Sequence, residues 1–147
     1  LLIETLRCID NEYKTGWDKI IASDGSTVEK ITALVEFDFS SQIAKVNKIA
    51  VWFAFWGEAN SRPTYQKICA QHDSDIAATF TELCEQLIAE GKYRHVDADI
   101  VATGYTALAD GLWLDLLMTP KELSKNKAKR VCMSYLAGNF PKHFSIE

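Results

Sequence analysis

The 147 residues carry 16 lysines and arginines against 20 aspartates and glutamates, a net charge of −4, with 48 % hydrophobic and 24 % charged residues. A chain of this size holds one domain that buries roughly 68–70 % of its unfolded surface, and its composition excludes a disordered tail. The cysteines Cys8, Cys69, Cys84 and Cys132 are too scattered for a disulfide framework or structural zinc, and no apolar run nears the roughly 18–20 residues of a membrane span. A reduced, core-type cysteine set in a cytoplasmic protein is expected.

The first helix opens on Leu1, Leu2, Leu6, Ile9, Tyr13, Trp17, Ile20 and Ile21, apolar at three- and four-residue steps, and stops at Asp24-Gly25. Because the chain starts inside a helix without a cap or a methionine, it reads as a fragment. Ser26-Thr27-Val28-Glu29 has the form of a capping box and starts a second helix through Val28, Ile31, Leu34, Val35 and Phe39. Ser40-Ser41 punctuates, and a third helix is predicted over about 42–60. Arg62-Pro63 opens a fourth with no internal proline or glycine up to Glu90, closed by Gly91 in the C-terminal position. A fifth, capped by Asp97 or Asp99, reaches Met118, and a sixth is predicted from Thr119-Pro120 to near Gly138. With no period-two alternation and no hairpin signal, the expectation is all-α, six helices and no sheet.

Charge is uneven along this frame. Up to Thr119 there are 10 basic and 18 acidic residues, and from Pro120 onward 6 and 2. An acidic body argues against gripping phosphate backbones, and Lys121, Lys125, Lys127, Lys129 and Arg130 read as the solvated face of a helix.

Two segments carry most of the information. Ile49 to Gly57 is apolar around the whole helical circumference, which predicts a central helix covered on every side. Its aromatic residues either fill the core or offer flat faces to a ligand. Ala98 to Met118 places Gly104, Ala107 or Leu108, and Gly111 along one face. A glycine inside a helix costs about 1 kcal/mol against alanine, so close packing is expected to repay it, within the monomer or on a symmetry mate. Val131, Cys132, Tyr135 and Leu136 of the last helix would complete a four-helix interface. Asp110, inside the apolar fifth helix, caps or bonds a neighbouring backbone group, or else pairs with a cationic ligand; Glu58 has the same two readings.

Catalytic signatures are missing. There is no phosphate-binding glycine loop, nucleophile elbow, His-Glu-x-x-His or Cys-x-x-Cys, and no Glu-x-x-His pair for a di-iron site. His72, His95 and His143 read as isolated surface histidines, and neither metal nor cofactor nor enzyme activity is expected.

Val51-Trp52-Phe53-Ala54-Phe55-Trp56-Gly57-Glu58-Ala59 and Ala107-Leu108-Ala109-Asp110-Gly111-Leu112-Trp113-Leu114, within this helical layout, resemble the C-terminal regulatory domain of TetR-family repressors, in particular the choline-responsive BetI-like branch. The resemblance implies a homodimer held by the last two long helices, at Gly104, Leu108, Gly111, Val131 and Tyr135. It also implies a first helix that connects to a helix-turn-helix domain outside these residues, through which operator DNA would be bound. The effector pocket would lie among the middle helices, with Trp52, Phe53, Trp56, Tyr65, Tyr105 and Trp113 as walls and Glu58 or Asp110 as counter-charge to a choline-like cation. Residues 1–147 would then form one ligand-binding and dimerisation domain. The competing reading is a structural helical dimer with a solid core and no effector.

Overall fold

The computed structural model describes residues 2–145, and the first residue of the leading apolar pattern, Leu1, lies outside them. Six helices follow in order: α1 Leu2–Ile21, α2 Thr27–Asp38, α3 Val46–Ala59, α4 Pro63–Gly91, α5 Ala98–Met118 and α6 Lys125–Asn139. No strand occurs among the described residues. The longest helix, α4, runs for 29 residues, roughly 43 Å at 1.5 Å per residue. It packs against α1, α2, α3 and α5, while α5 also lies against α3 and α6.

Local chemistry sets the boundaries. Ser26 Oγ accepts from the Glu29 amide, the first half of the expected capping box. α3 begins at Val46 rather than near 42, because Ser40 Oγ takes the Ile43 amide and holds the intervening residues in a turn. The last helix likewise starts at Lys125 rather than Pro120. Thr119 closes α5 through its amide and its hydroxyl, both donated to the Asp115 carbonyl, and Ser124 supplies the cap by accepting from the Lys127 amide. At the end of α4 the left-handed residue is Lys92, with φ 53°, and not Gly91. Gly91 remains helical, and a side chain at this position would run into the Tyr93 ring.

The core is continuous, from Leu6, Tyr13 and Trp17 of α1 through Phe39, Phe80 and Tyr105 to Leu136 and Phe140. α3 is not its covered centre. Ile49, Trp52 and Phe55 are buried, but Ala50, Ala54 and Gly57 face solvent. The all-round apolarity of this helix comes from small residues on an outer face that the periodicity cannot tell from core. The central position falls to α4, whose sequence is more polar. Of the cysteines, Cys69, Cys84 and Cys132 are buried and Cys8 is exposed, all four as free thiols; the core-type expectation fails at Cys8, which lies on the outer side of α1.

α5 is long and apolar enough to cross a membrane by composition. It carries Asp99, Asp110 and Asp115 and packs within the bundle. Part of its apolar surface nevertheless points outward: Ile100, Leu114 and Met118 are 67 %, 42 % and 68 % exposed.

Candidate functional site

Asp38, the last residue of α2, organises the interior. A carboxylate at a helix C-terminus opposes the helix dipole, and this one is buried. It is held instead by donors from two other helices. Tyr13 Oη and Trp17 Nε1 of α1 donate to Oδ1, the indole at 3.1 Å. Tyr105 Oη of α5 donates to Oδ2 at 3.3 Å. Trp113 Nε1 donates to the Asp38 carbonyl at 3.0 Å. Burial pushes the Asp38 carboxyl up to about 6, against the opposing pull of these hydrogen bonds and of His72.

Beside this hub lies a cavity of about 290 Å³, between α1, α3, α4 and α5, with Asp38 in its wall. That is at the small end for ligand pockets, roughly 300–1,000 Å³. Tyr13, Trp17, Tyr105, Trp113 and Trp56 supply aromatic surface, and Ile76, Ala77 and Ala109 the apolar remainder. Asp73 of α4 and Asp110 of α5 stand at its solvent-reached edge. Burial pushes Asp110 up to about 7, the neighbouring charges of Asp73 and Asp38 adding to it and His72 opposing. Asp73 is likewise raised by burial. Among the described residues, no lysine or arginine lines the cavity.

His72 is no surface histidine. It is buried on α4, with Nδ1 2.6 Å from Asp10 Oδ1 of α1 and its ring between Trp52 at 4.7 Å and Tyr13 at 5.1 Å. Lys14 reinforces this α1–α4 clasp by pairing with Asp75 at 2.9 Å. His143 is also drawn in, bonded to Tyr93 Oη at 2.9 Å and paired with Glu90; His95 alone is exposed.

Of the eight pocket residues expected from sequence, the cavity brings together Trp56, Tyr105, Asp110 and Trp113. The other four lie elsewhere. Trp52 stands one layer back, its ring against His72 and Trp56. Phe53 packs edge-on to Trp56. Tyr65 packs on Phe55, with Arg62 over its ring. Glu58 is exposed and pairs with Arg62 at 3.5 Å within its own helix-end turn, a surface pair of small energetic weight. A helix turns 100° per residue, so aromatic residues crowded into one segment cannot all reach the same side. Asp110 caps nothing: no hydrogen bond to it is formed by the described residues, which removes the backbone-bonding reading.

Tyr13, Trp17, Asp38, His72 and Asp73 were missed by sequence reasoning. Tyr13 and Trp17 read as core members of an apolar stripe, which they are, and their polar atoms give no periodic signal. A usable sign existed for Asp38, a carboxylate at a helix C-terminus between Phe37 and Phe39, where only specific donors would stabilise it.

The expected interface residues divide. Gly104 accommodates Tyr135 within the monomer, since a Cβ at 104 would meet the Tyr135 hydroxyl, which donates to the Val101 carbonyl at 2.9 Å. That glycine is thereby explained by α5–α6 docking. Gly111 has nothing within 4 Å of its would-be Cβ, while Leu108 and Val131 are half-buried.

Comparison with known proteins gives a consistent result. The profile of the family described as "BetI-type transcriptional repressor, C-terminal" matches residues 27–141. The HTH-type transcriptional regulator BetI of Vibrio vulnificus (strain YJ016) is 25 % identical over 138 residues, 92 % of this chain and 67 % of the relative. BetI 2 of Chromohalobacter salexigens is 28 % identical over 113 residues, 77 % of this chain and 52 % of the relative. The chain thus spans between about half and two thirds of these relatives. In fold, it is similar to a transcriptional regulator from Pseudomonas aeruginosa PAO1, with a TM-score of 0.80 at 21 % identity over 98 % of this chain and 69 % of that one. A TetR-family regulator from Rhodococcus sp. gives 0.76 at 18 %, over 95 % and 73 %. With its family profile spanning most of the six-helix bundle, the chain belongs to the BetI-type transcriptional repressors of the TetR family, as their C-terminal domain.

Proposed function

We propose that this domain senses a small organic cation in the cavity beside Asp38 and holds its repressor together as a homodimer. The observation that carries the reading is a cavity walled by aromatic faces and three carboxylates, with no lysine or arginine among its lining residues. Burying the Asp38 carboxylate costs stability, and placing two more carboxylates at the edge of the same cavity adds like-charge repulsion, so a purely structural dimerisation domain gains nothing from them. A bound cation offsets that cost, and each aromatic face adds about 0.5–2 kcal/mol.

The dimer would form on the outward side of α5, where Ile100, Leu114 and Met118 are exposed and Gly111 leaves room for a close approach, with Leu108 and, from α6, Val131 beside them. Operator DNA would be bound by a helix-turn-helix domain outside these residues, in the cytoplasm. α1, hydrogen-bonded to Asp38 through Tyr13 and Trp17, would relay occupancy of the cavity. The effector shifts the population only as far as its affinities for the two arrangements differ, about 5.5 kcal/mol for a swing from 1:99 to 99:1.

The test is a thermal-shift screen of small cations, neutral compounds and anions, with native mass spectrometry of the purified protein. A cation at a hundred times its Kd stabilises by about 2.7 kcal/mol, or roughly 5–10 °C. Ala77→Phe, which fills the cavity from its α4 wall, should abolish that shift. Stabilisation by neutral or anionic compounds alone, or by nothing in the screen, would overturn the cation reading.

A further inference from the structure

We propose that the effector is an amine whose nitrogen still carries hydrogens, a primary or secondary ammonium that donates N–H bonds to Asp73 and Asp110 across the mouth of the cavity. The proposal rests on the reading of the cavity as a cation site and narrows the kind of cation.

Five aspartates surround the cavity and the clasp behind it, and three of them are already filled. Asp38 takes Tyr13, Trp17 and Tyr105. Asp10 takes His72 and Lys14. Asp75 takes Lys14 and Gln71. Asp73 and Asp110, which line the cavity from α4 and α5, accept no hydrogen bond from the described residues. An ionised carboxylate has about four acceptor positions, and an ammonium with hydrogens offers up to three donors. A quaternary ammonium offers charge and methyl groups only, so it would leave both carboxylates as they are. Charge-assisted N–H···O bonds are roughly twice as strong as neutral ones, and an edge formed by two unfilled carboxylates favours the ligand that can make them.

A second observation concerns the far end of the ligand. Trp56 lines the same cavity, and its indole Nε1 is sealed from solvent without any hydrogen-bond acceptor. Such a donor is rarely left unpaired. An oxygen carried by the ligand would supply the acceptor this donor lacks, so an amino alcohol would suit both ends.

The carboxylates also couple binding to protons. Facing Asp110 are Asp73 and His72 of α4, Asp38 of α2 and Tyr13 of α1, with Tyr105 on its own helix. With Asp110 pushed up to about 7, the free protein holds part of a proton there at neutral pH, and an ammonium, which binds the ionised form, drives it off. Affinity should therefore rise between pH 6 and pH 8.

The experiment is calorimetric titration of the purified protein with ethanolamine, N-methylethanolamine, N,N-dimethylethanolamine and choline, one skeleton whose nitrogen carries three, two, one and no hydrogens. The expected result is an affinity that falls at least tenfold from the first to the last. Asp73→Asn and Asp110→Asn should each weaken ethanolamine at least tenfold and choline by a smaller factor, since choline loses the charge attraction but no N–H bond, with melting curves showing both variants folded. Choline binding as tightly as ethanolamine would overturn the N–H donor assignment and leave the cation site standing. No heat from any of the four at millimolar concentration would overturn this proposal, while the broader cation screen decides the site itself.

Discussion

Replacing Asp38 by asparagine should flatten the pH dependence of stability without loosening the fold. The folded carboxyl sits at about 6 against an ordinary 3.8. A raised folded value means that stability is fully present below the unfolded value and is lost as pH rises through about 6. Linkage with these two values gives a loss of roughly 1 kcal/mol between pH 5 and pH 8, out of about 3 kcal/mol over the whole range. Asparagine keeps an oxygen for Tyr13 and Trp17 and turns an amide toward Tyr105 Oη, which then accepts. It resembles the protonated acid, so the variant should match the native protein near pH 4 and exceed it by about 3 kcal/mol at pH 8. Alanine removes the acceptor for three buried donors at about 1–3 kcal/mol each, a loss best read at pH 5, where the native carboxyl is mostly neutral. Urea unfolding at fixed protein concentration, at pH 5 and 8, measures all three proteins; fixing the concentration removes any contribution from dimerisation. An asparagine variant that keeps the full native pH dependence, or an alanine variant as stable as the asparagine one, would refute the account of the hub.

Further outcomes follow from single contacts. Gly104→Ala should cost about 1–3 kcal/mol by displacing the Tyr135 hydroxyl from Val101, whereas Gly111→Ala should be neutral or gain up to about 1 kcal/mol in a monomer; chemical denaturation distinguishes them. Leu114→Lys with Met118→Lys should turn a dimer into a folded monomer in analytical ultracentrifugation, and a variant that stays dimeric would move the interface off α5. Under native conditions one thiol in four should react quickly with a disulfide reagent, namely Cys8. The other three are enclosed, and burial pushes Cys84 and Cys132 up to about 12; rapid modification of more than one, located by mass spectrometry, would contradict that burial.

Helices were legible because their signals are local. Ser26, Pro63 and Asp97 mark starts by satisfying or lacking particular backbone donors, and the apolar stripe of α1 buries Leu6, Tyr13 and Trp17, with Ile9, Ile20 and Ile21 half-buried and Leu2 exposed. Small residues gave the misleading signals. Ala50, Ala54 and Gly57 made α3 look like a central helix although they face solvent, because hydropathy does not separate a small exposed side chain from a buried one. Three of the eight expected pocket residues, Trp56, Tyr105 and Trp113, followed from the aromatic content of α3 and α5, and Asp110 from its place inside an apolar helix. The remainder depended on which side of each helix turned toward Asp38, a long-range matter between residues 13, 38, 72 and 105 that no window of sequence contains. Gly104 shows the same limit. Its cost in helix propensity was legible, but whether Tyr135 or a symmetry mate repaid it depended on the docking of α6.

Asp38 and the cavity edge obey different rules of replacement. The side chains that fix Asp38 all donate to its carboxylate, so a change at Tyr13, Trp17 or Tyr105 takes a donor from a buried acceptor. Asp73 and Asp110 bond to nothing around them, and Ala77 is small and lies in the same wall. Substitutions at these three positions alter size and charge where a ligand would sit; at the exposed Asp73 and Asp110 they usually move stability by less than about 0.5 kcal/mol, while at the half-buried Ala77 the new side chain takes up cavity space. The domain therefore behaves as a fixed socket with an exchangeable collar, and a library restricted to residues 73, 77 and 110 is the economical route to retuning what it recognises.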